Sequence, residues 1–288
     1  MTATIRHVRH SSVLGTWERW IRAPDPRLAG HLSGAYEGWA EVGTSFVRRR
    51  ELPSGVIPLI LNLGMPYLMP DPRHPDRAPD RFGSFMAGLH ERFVLVQATG
   101  SSLGVQVNFT PLGAHAILRR PMADLTDRVV DLGDLLGPAG LRLELRLREA
   151  RSWSDRFSLI DDFLLDRLAA APASSPGIAW AWGQLELSGG LIPIGVLART
   201  LECSPRHLIA QFRQRIGLPP KSIARVLRFS RAVALFSRDD GRRWADIALD
   251  CGYFDQAHLN REFREFAGST PGDFIGRLLP DQGGVIGD

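Results

Sequence analysis

The stretch "DIALDCGYFDQAHLNREFREFAG", Asp246–Gly268, has a weaker copy about fifty residues earlier, "VLARTLECSPRHLIAQFRQRIG", Val196–Gly217. Superposed, Ala198 falls on Ala248 and, after one inserted residue, Leu208 on Leu259, Phe212 on Phe263, Arg213 on Arg264, Gly217 on Gly268 and Pro220 on Pro271. The chain therefore carries one supersecondary unit twice. In each copy a short apolar helix (Ile194 to Thr200; Trp244 to Leu249) leads through a tight turn into a second helix. Ser204 is the N-cap candidate of the first copy, with Pro205 at the favoured first helical position, and Asp255 is that of the second. This is the layout of a helix-turn-helix.

In the second helices Leu208 with Phe212, and Leu259 with Phe263, are spaced i, i+4 and face inward. The opposite face then presents Arg206, Ile209 and Ala210 in copy one, and Gln256, Ala257, Asn260 and Arg261 in copy two. Such a face suits the DNA major groove. Arginine reads guanine O6 and N7, asparagine reads adenine N6 and N7, and small apolar groups touch the thymine methyl. Ser204, Arg213, Arg264 and Lys221 are expected at phosphates; the two arginines lie one turn further along their helices. Between the copies, Lys221 to Arg238 has no internal Gly or Pro and places Ile223, Val226, Leu227, Val233 and Ala234 on one side. It reads as a linking helix of about 18 residues, roughly 27 Å long. A rigid spacer of that order sets two recognition helices about one DNA turn, roughly 34 Å, apart.

Lys221 is the only lysine, so nearly every positive charge is a guanidinium; the net charge is only +4. From Gly190 to Pro280, fourteen Lys and Arg stand against nine Asp and Glu, a local excess that suits a polyanionic partner. At 288 residues the chain is long enough for two domains. No apolar run approaches the length that spans a bilayer and the start, "MTATIRHVRH", is polar, so a cytoplasmic protein without membrane association is expected. Cys203 and Cys251 lack metal or redox spacing and read as buried thiols.

Residues 31 to 110 read as short Val-, Ile-, Phe- and Trp-rich extended segments between turns, a β-sandwich or small barrel. Met69 to Gly83, with four prolines, reads as an exposed loop. After Pro111 the texture turns helical. "SWSDRFSLIDDFLLDRLAA" carries the stripe Phe157, Ile160, Leu164 and Leu168, and Ser152 with Asp155 resembles a capping box. "LRLELRLREA" has the strict alternation of a strand but the composition of a helix, and helix is expected. "APASSPG", Ala171–Gly177, reads as a linker. The fold expected is α+β: residues 1–170 as a sensor or dimerisation domain, helical from about 112, then a linker at 171–180 and an all-α double helix-turn-helix at 181–280.

Residues 190 to 280 resemble the DNA-binding domain of the AraC/XylS family of bacterial transcription regulators. The pattern shared with that family is an Ile-Ala pair, a Gly-aromatic turn, a recognition helix with a following Phe, then Gly-x-x-Pro, over Asp246 to Phe274. His258-Leu259 stands where family members often carry an aromatic pair, and Leu235-Phe236 replaces their Leu-Leu. The resemblance implies a cupin-like N-terminal domain that senses a small-molecule effector or dimerises. It also implies double-stranded DNA, a second copy of the chain and RNA polymerase as partners. The segment from Val105 to Gly137 resembles a sensor domain of some family members.

Other chemistry finds little support. The eight histidines show no metal-ligand spacing, His7 and His10 falling in a polar stretch expected to be a mobile tail, and no metal or cofactor is expected. No phosphate-binding glycine loop or nucleophile elbow is present, so no catalytic residues are assigned. His207 and His258, at equivalent positions, are expected beside the recognition helices. Trp17, Trp20, Tyr36, Trp39, Phe46, Phe85 and Phe93 are candidates for core or pocket, with Trp39, Phe85 and His90 marking a possible effector site. The rival reading is a cupin-type enzyme or sugar-binding protein with an appended helical module.

Overall fold

The computed structural model describes residues 4–12, 15–43, 47–98, 101–171, 175–238, 241–277 and 285–286. Phe46 and residues 172–174 of the expected linker lie outside them. The N-terminal strands are β1 (Arg6–Ser12), β2 (Gly15–Arg22), β3 (Tyr36–Gly43), β4 (Val47–Glu51), β5 (Ile57–Asn62), β6 (Tyr67–Met69), β7 (Asp80–Phe82), β8 (Phe85–Ala87), β9 (Val94–Ala98), β10 (Ser101–Phe109) and β11 (Val129–Asp131), and β12 (Val285–Ile286) lies near the C-terminus. Among the described residues they form a seven-stranded sheet, β1-β2-β3-β10-β5-β8-β11, and a five-stranded sheet, β12-β4-β9-β6-β7.

Alternation assigns the two faces of the larger sheet. Ile57, Leu59 and Leu61 on β5 and Val105, Val107 and Phe109 on β10 are buried at 2% exposure or less. They meet helices α1 (Pro111–Leu118), α2 (Leu132–Glu149) and α3 (Trp153–Ala169) in one core. The residues between them, Pro58, Ile60, Gln106 and Asn108, face the space between the sheets. The stripe of α3 covers the sheet: Phe157, Ile160 and Leu164 are buried. Asp161 clamps it there, accepting from Tyr36 OH at 2.8 Å and pairing with the buried Arg22. In α2, Leu143 and Leu147 are buried while Leu141 and Leu145 are exposed, so the alternating leucines are the two sides of a helix. "DLGDLLG" belongs to the same helix, which kinks at Gly137-Pro138, where Gly137 has φ +57°.

Two expectations are corrected. The N-terminal stretch is a β-hairpin rather than a mobile tail: β1 pairs with β2 from Arg6↔Ile21 to Ser12↔Gly15. β1 carries a single apolar residue, Val8, so no apolar alternation marks it. His7 stacks on Trp20 at 4.7 Å and contacts Glu18 at 2.8 Å, and His10 stacks on Trp17 at 5.3 Å. The second half of the expected linker is helical: α4 (Pro176–Leu187) starts at its proline and buries Ile178, Ala181, Trp182 and Leu185.

The remaining helices are α5 (Ile194–Thr200), α6 (Pro205–Arg215), α7 (Pro220–Phe236), α8 (Trp244–Asp250), α9 (Gln256–Ala267) and α10 (Pro271–Ile275). The linking helix α7 buries Ile223, Ala224, Val226, Phe229, Ala232 and Phe236; Ala234, expected on that side, is exposed, because the helix turns its apolar stripe past it. Cys251 is buried and Cys203 half-buried, both as free thiols.

The two copies join the rest of the molecule differently. Leu197, Leu208, Phe212 and Ile216 of copy one belong to the same core as the sheet residues. Helix α6 lies against residues 122–125, and Thr126 donates to the Gly217 carbonyl at 2.9 Å. Ile247, Leu259, Phe263, Phe266 and Phe274 of copy two form a separate core with the far half of α7. Copy two meets the β domain at a few points. Arg50 on β4 donates to the Ala267 carbonyl at 2.7 Å while lying over Phe93 at 4.5 Å. Phe93 packs where a Cβ on Gly268, the left-handed C-cap of α9 at φ +69°, would come within 2.4 Å. Leu52 packs against the second core, and β12 pairs with Arg49 and Arg50 of β4.

Candidate nucleic-acid interface and effector cavity

The two helix-turn-helix copies share their turn geometry. Cys203 N–H donates to the Ala198 carbonyl at 3.0 Å, and Tyr253 N–H to the Ala248 carbonyl at 2.9 Å. The residue before each donor is left-handed: Glu202 at φ +50° in copy one and Gly252 at φ +76° in copy two. Glycine adopts that region freely and glutamate does not, so copy one holds its turn at a conformational cost. The recognition helices are capped as the sequence indicated. Ser204 Oγ accepts from His207 N–H at 3.2 Å and Asp255 Oδ1 from His258 N–H at 2.6 Å. His258 also packs edge-on against Tyr253 at 5.3 Å, while His207 is exposed.

Arg206, Ile209, Ala210 and Arg213 are exposed on α6, as are Gln256, Ala257, Arg261 and Arg264 on α9; Ser204 and Lys221 are exposed beside them. Asn260 departs from the expected exposure. It is half-buried, and its Oδ1 has no hydrogen-bond partner among the described residues. At about 100° per residue it sits on the shoulder of the helix, a quarter turn from the inward-facing Leu259, whereas Ala257, Arg261 and Arg264 point directly outward. The equivalent shoulder of copy one is Ile209, 37% exposed. At the centre of the two outer faces the residue types are exchanged: Arg206 and Ala210 in copy one stand where copy two has Ala257 and Arg261.

The charges divide into bound and available. Arg225 is held inside copy two by Glu262 at 2.7 Å and Glu265 at 2.6 Å, and Arg243 pairs with Asp246 at 2.9 Å. Arg206, Arg213, Lys221, Arg261 and Arg264 make no ion pair among the described residues, so their positive charge is open to phosphates and base edges.

The second site is a cavity of about 470 Å³ between the two sheets, within the size range of small-molecule pockets. Trp39, Phe85 and His90 all line it. Trp39 Nε1 donates to Ser102 Oγ at 2.7 Å, and Tyr67 OH lies 2.8 Å from the same oxygen. Arg49 reaches both carboxylate oxygens of Glu41 at 3.2 Å, and Arg19 pairs with Glu37. Glu51 has accessible surface, but the space it faces is this cavity, and enclosure by protein pushes its carboxyl pKa up against the lowering effect of Arg49. Burial pushes the His90 imidazole pKa down; its Nδ1 stands 3.9 Å from Asp127 and its buried Nε2 has no partner among the described residues. Of the other aromatic candidates, Trp17 lines the cavity, Tyr36 is core, Trp20 stacks on Trp153 at 4.3 Å, and Phe93 faces copy two. Sequence reasoning passed over Arg49, Glu51 and Tyr67. The signal was the strand VRRRE (Val47–Glu51), whose period of two sends Arg49 and Glu51 inward while Arg50 points the other way.

Among the described residues no group of three or more His, Cys, Asp or Glu is placed to hold a metal, and no helix is long and apolar enough to cross a membrane.

Residues 197–277 match the family of the helix-turn-helix domain HTH_18, and residues 22–131 match a domain of unknown function, DUF6597. No curated protein matches the chain. Among solved structures, apo ToxT from Vibrio cholerae strain SCE256 is similar at 10% identity and a TM-score of 0.48, over 86% of this chain and 100% of that one. Another crystal form of Vibrio cholerae ToxT is similar at 11% identity and a TM-score of 0.46, over 84% and 97%. The xylose-binding transcription activator xylR is similar at 14% identity and a TM-score of 0.32, over 43% of this chain and 39% of that one. Two capped helix-turn-helix units with open cationic faces coincide with the family match over the same residues, and the C-terminal region is a helix-turn-helix domain.

Proposed function

We propose that one chain reads two adjacent major-groove segments, through Arg206, Ile209 and Ala210 on α6 and Gln256, Ala257, Asn260 and Arg261 on α9. Ser204, Arg213, Lys221 and Arg264 sit on the flanking phosphates. The observation that carries this reading is the pair of outward faces whose arginines make no ion pair among the described residues. Helix α7, 17 residues and about 25 Å long, fixes the spacing of the two readers.

The cavity holds a small-molecule effector, with Trp39, Phe85 and His90 in its walls, and its occupancy biases copy two. Two elements touch both the cavity and copy two. On β4, Glu51 and Arg49 face the cavity while Arg50 holds the C-terminal end of α9. In the loop from Gly88 to Phe93, His90 faces the cavity, Glu91 stands 3.9 Å from Arg225, and Phe93 backs Gly268. A second copy of the chain packs along α2, where Leu141 and Leu145 are 51% and 60% exposed. The protein works in the cytoplasm, at a promoter, through RNA polymerase.

The test is a gel shift on the duplex upstream of its own gene. Arg264→Ala should weaken all duplexes alike and flatten the salt dependence by about one unit of slope, whereas Arg261→Ala should change the sequence preference. Equal effects of the two substitutions would overturn the division into readers and phosphate contacts.

A further inference from the structure

We infer that the cavity between the sheets takes a small organic amine, its ammonium group pairing with Glu51 and its carbon skeleton lying against the aromatic and aliphatic walls. The inference rests on reading the cavity as the effector site and adds the ligand's chemistry. It comes from matching each charge in the cavity to its partner. Four carboxylates line the space: Glu18, Glu37, Glu41 and Glu51. Glu18 is met by His7 at 2.8 Å and Arg9 at 3.8 Å, Glu37 by Arg19, and Glu41 by Arg49 through both oxygens. Glu51 makes no hydrogen bond or ion pair among the described residues.

Glu51 is exposed to the cavity with only the charge of Arg49 beside it and no hydrogen bond to its carboxylate, so its oxygens are open to a ligand's donor. The arginines cannot serve an anion equally well. Arg19 pairs with Glu37 and the Arg49 Nη2 with Glu41; the buried Arg49 Nε has no partner among the described residues, Arg92 lies on the exposed loop, and an anion reaching that Nε would also face Glu41 and Glu51. The walls suit a cation. Trp39 and Tyr67 spend their polar atoms on Ser102, so they offer ring surface rather than hydrogen bonds, and Phe85, Val94, Val96 and Ile60 add apolar area. His90 supplies a second acceptor. With Asp127 on the Nδ1 side favouring a proton there, the unpartnered Nε2 is free to receive an N–H, and burial keeps the ring neutral.

Three probes with one skeleton and different heads test the inference on the full chain by calorimetry and thermal shift: phenethylamine, 2-phenylethanol and phenylacetate. Phenethylamine should bind at least about tenfold tighter than either of the others, the margin a buried charge pair supplies. Glu51→Gln should abolish that margin while leaving the melting temperature of the ligand-free protein unchanged, since the carboxylate is exposed and makes no hydrogen bond. A fold defect would lower it instead. Equal or tighter binding of the alcohol or the acid, or an amine preference that survives Glu51→Gln, would overturn the amine assignment and leave the cavity as an effector site. No binding of any of the three at millimolar concentration would overturn both.

Discussion

Copy one and copy two are the same unit put to different structural use. Phe212 of copy one is buried in a core that runs continuously into the large sheet, whereas the equivalent Phe263 is buried in a core of copy two's own. Copy one is thus part of the β domain's interior. Copy two hangs from α7 and is steadied by discrete contacts: Arg50 to Ala267, Phe93 to Gly268, Glu91 to Arg225, and Leu52. An interior that is close-packed transmits change poorly by degrees, while a joint of a few polar and aromatic contacts is retuned by moving one strand. Under the proposed two-reader function, copy one is the fixed reader and copy two the adjustable one.

The strongest way to break that comparison is to empty each core. Phe212→Ala and Phe263→Ala should each cost about 3–5 kcal/mol. The first should lower the unfolding temperature of the β domain together with copy one. The second should leave β-domain protection in hydrogen exchange intact and expose α8 to α10 alone. Equal loss of β-domain protection in both variants would show a single cooperative core.

Next in size is the joint. Arg50→Met removes a buried charged donor from the Ala267 carbonyl, a loss of about 1.5–3 kcal/mol felt locally. Exchange should accelerate at the C-terminal end of α9 and stay unchanged in α6.

At the DNA, the exchange of arginine and alanine between the two faces predicts complementary losses. Arg206→Ala should remove preference at one base position and Arg261→Ala at another, each by about 1–3 kcal/mol in binding to single-base variants of the site. Two substitutions that erase the same position would mean that the helices do not read separate segments.

The smallest effect is set by pH. Copy two carries two carboxylates held below their ordinary value of 3.8: Asp246 chiefly by the side-chain hydrogen bond from Arg243, and Asp273 by its bonds with Thr270. A depressed carboxyl adds stability at pH above its unfolded value, and that contribution fades as pH falls through the folded value. Neither helix of copy one, α5 or α6, contains an Asp or Glu. Acidification from pH 5 to 3 should therefore loosen copy two slightly before copy one, visible as earlier exchange in α8 and α10. Simultaneous loosening would remove the asymmetry.

How much was readable in advance follows the same division. The helix-turn-helix pair announced itself because repetition, capping residues and i, i+4 apolar pairs all point one way, and the outward positions of its second helices follow from helical geometry. Asn260 shows the limit, since a residue on a helix shoulder is exposed or half-buried according to what packs beside it. The strands of the cavity were legible as strands, but their charged interior was not. VRRRE (Val47–Glu51) looks like a solvated segment until the partner sheet closes over Arg49 and Glu51. Helix α4 was hidden for another reason. Its apolar residues lie nearly all round, with Leu187 85% exposed and Trp180 36%, so no single stripe marks it.

Selection of bound sites from randomised duplexes, run in parallel with the wild-type chain and Arg261→Ala, tests the two-reader account most directly. The account predicts two blocks of preferred bases about 10 base pairs apart in the wild-type sites, with Arg261→Ala losing preference in one block and keeping the other. A single contiguous block, or a pattern that Arg261→Ala leaves unchanged, would contradict it.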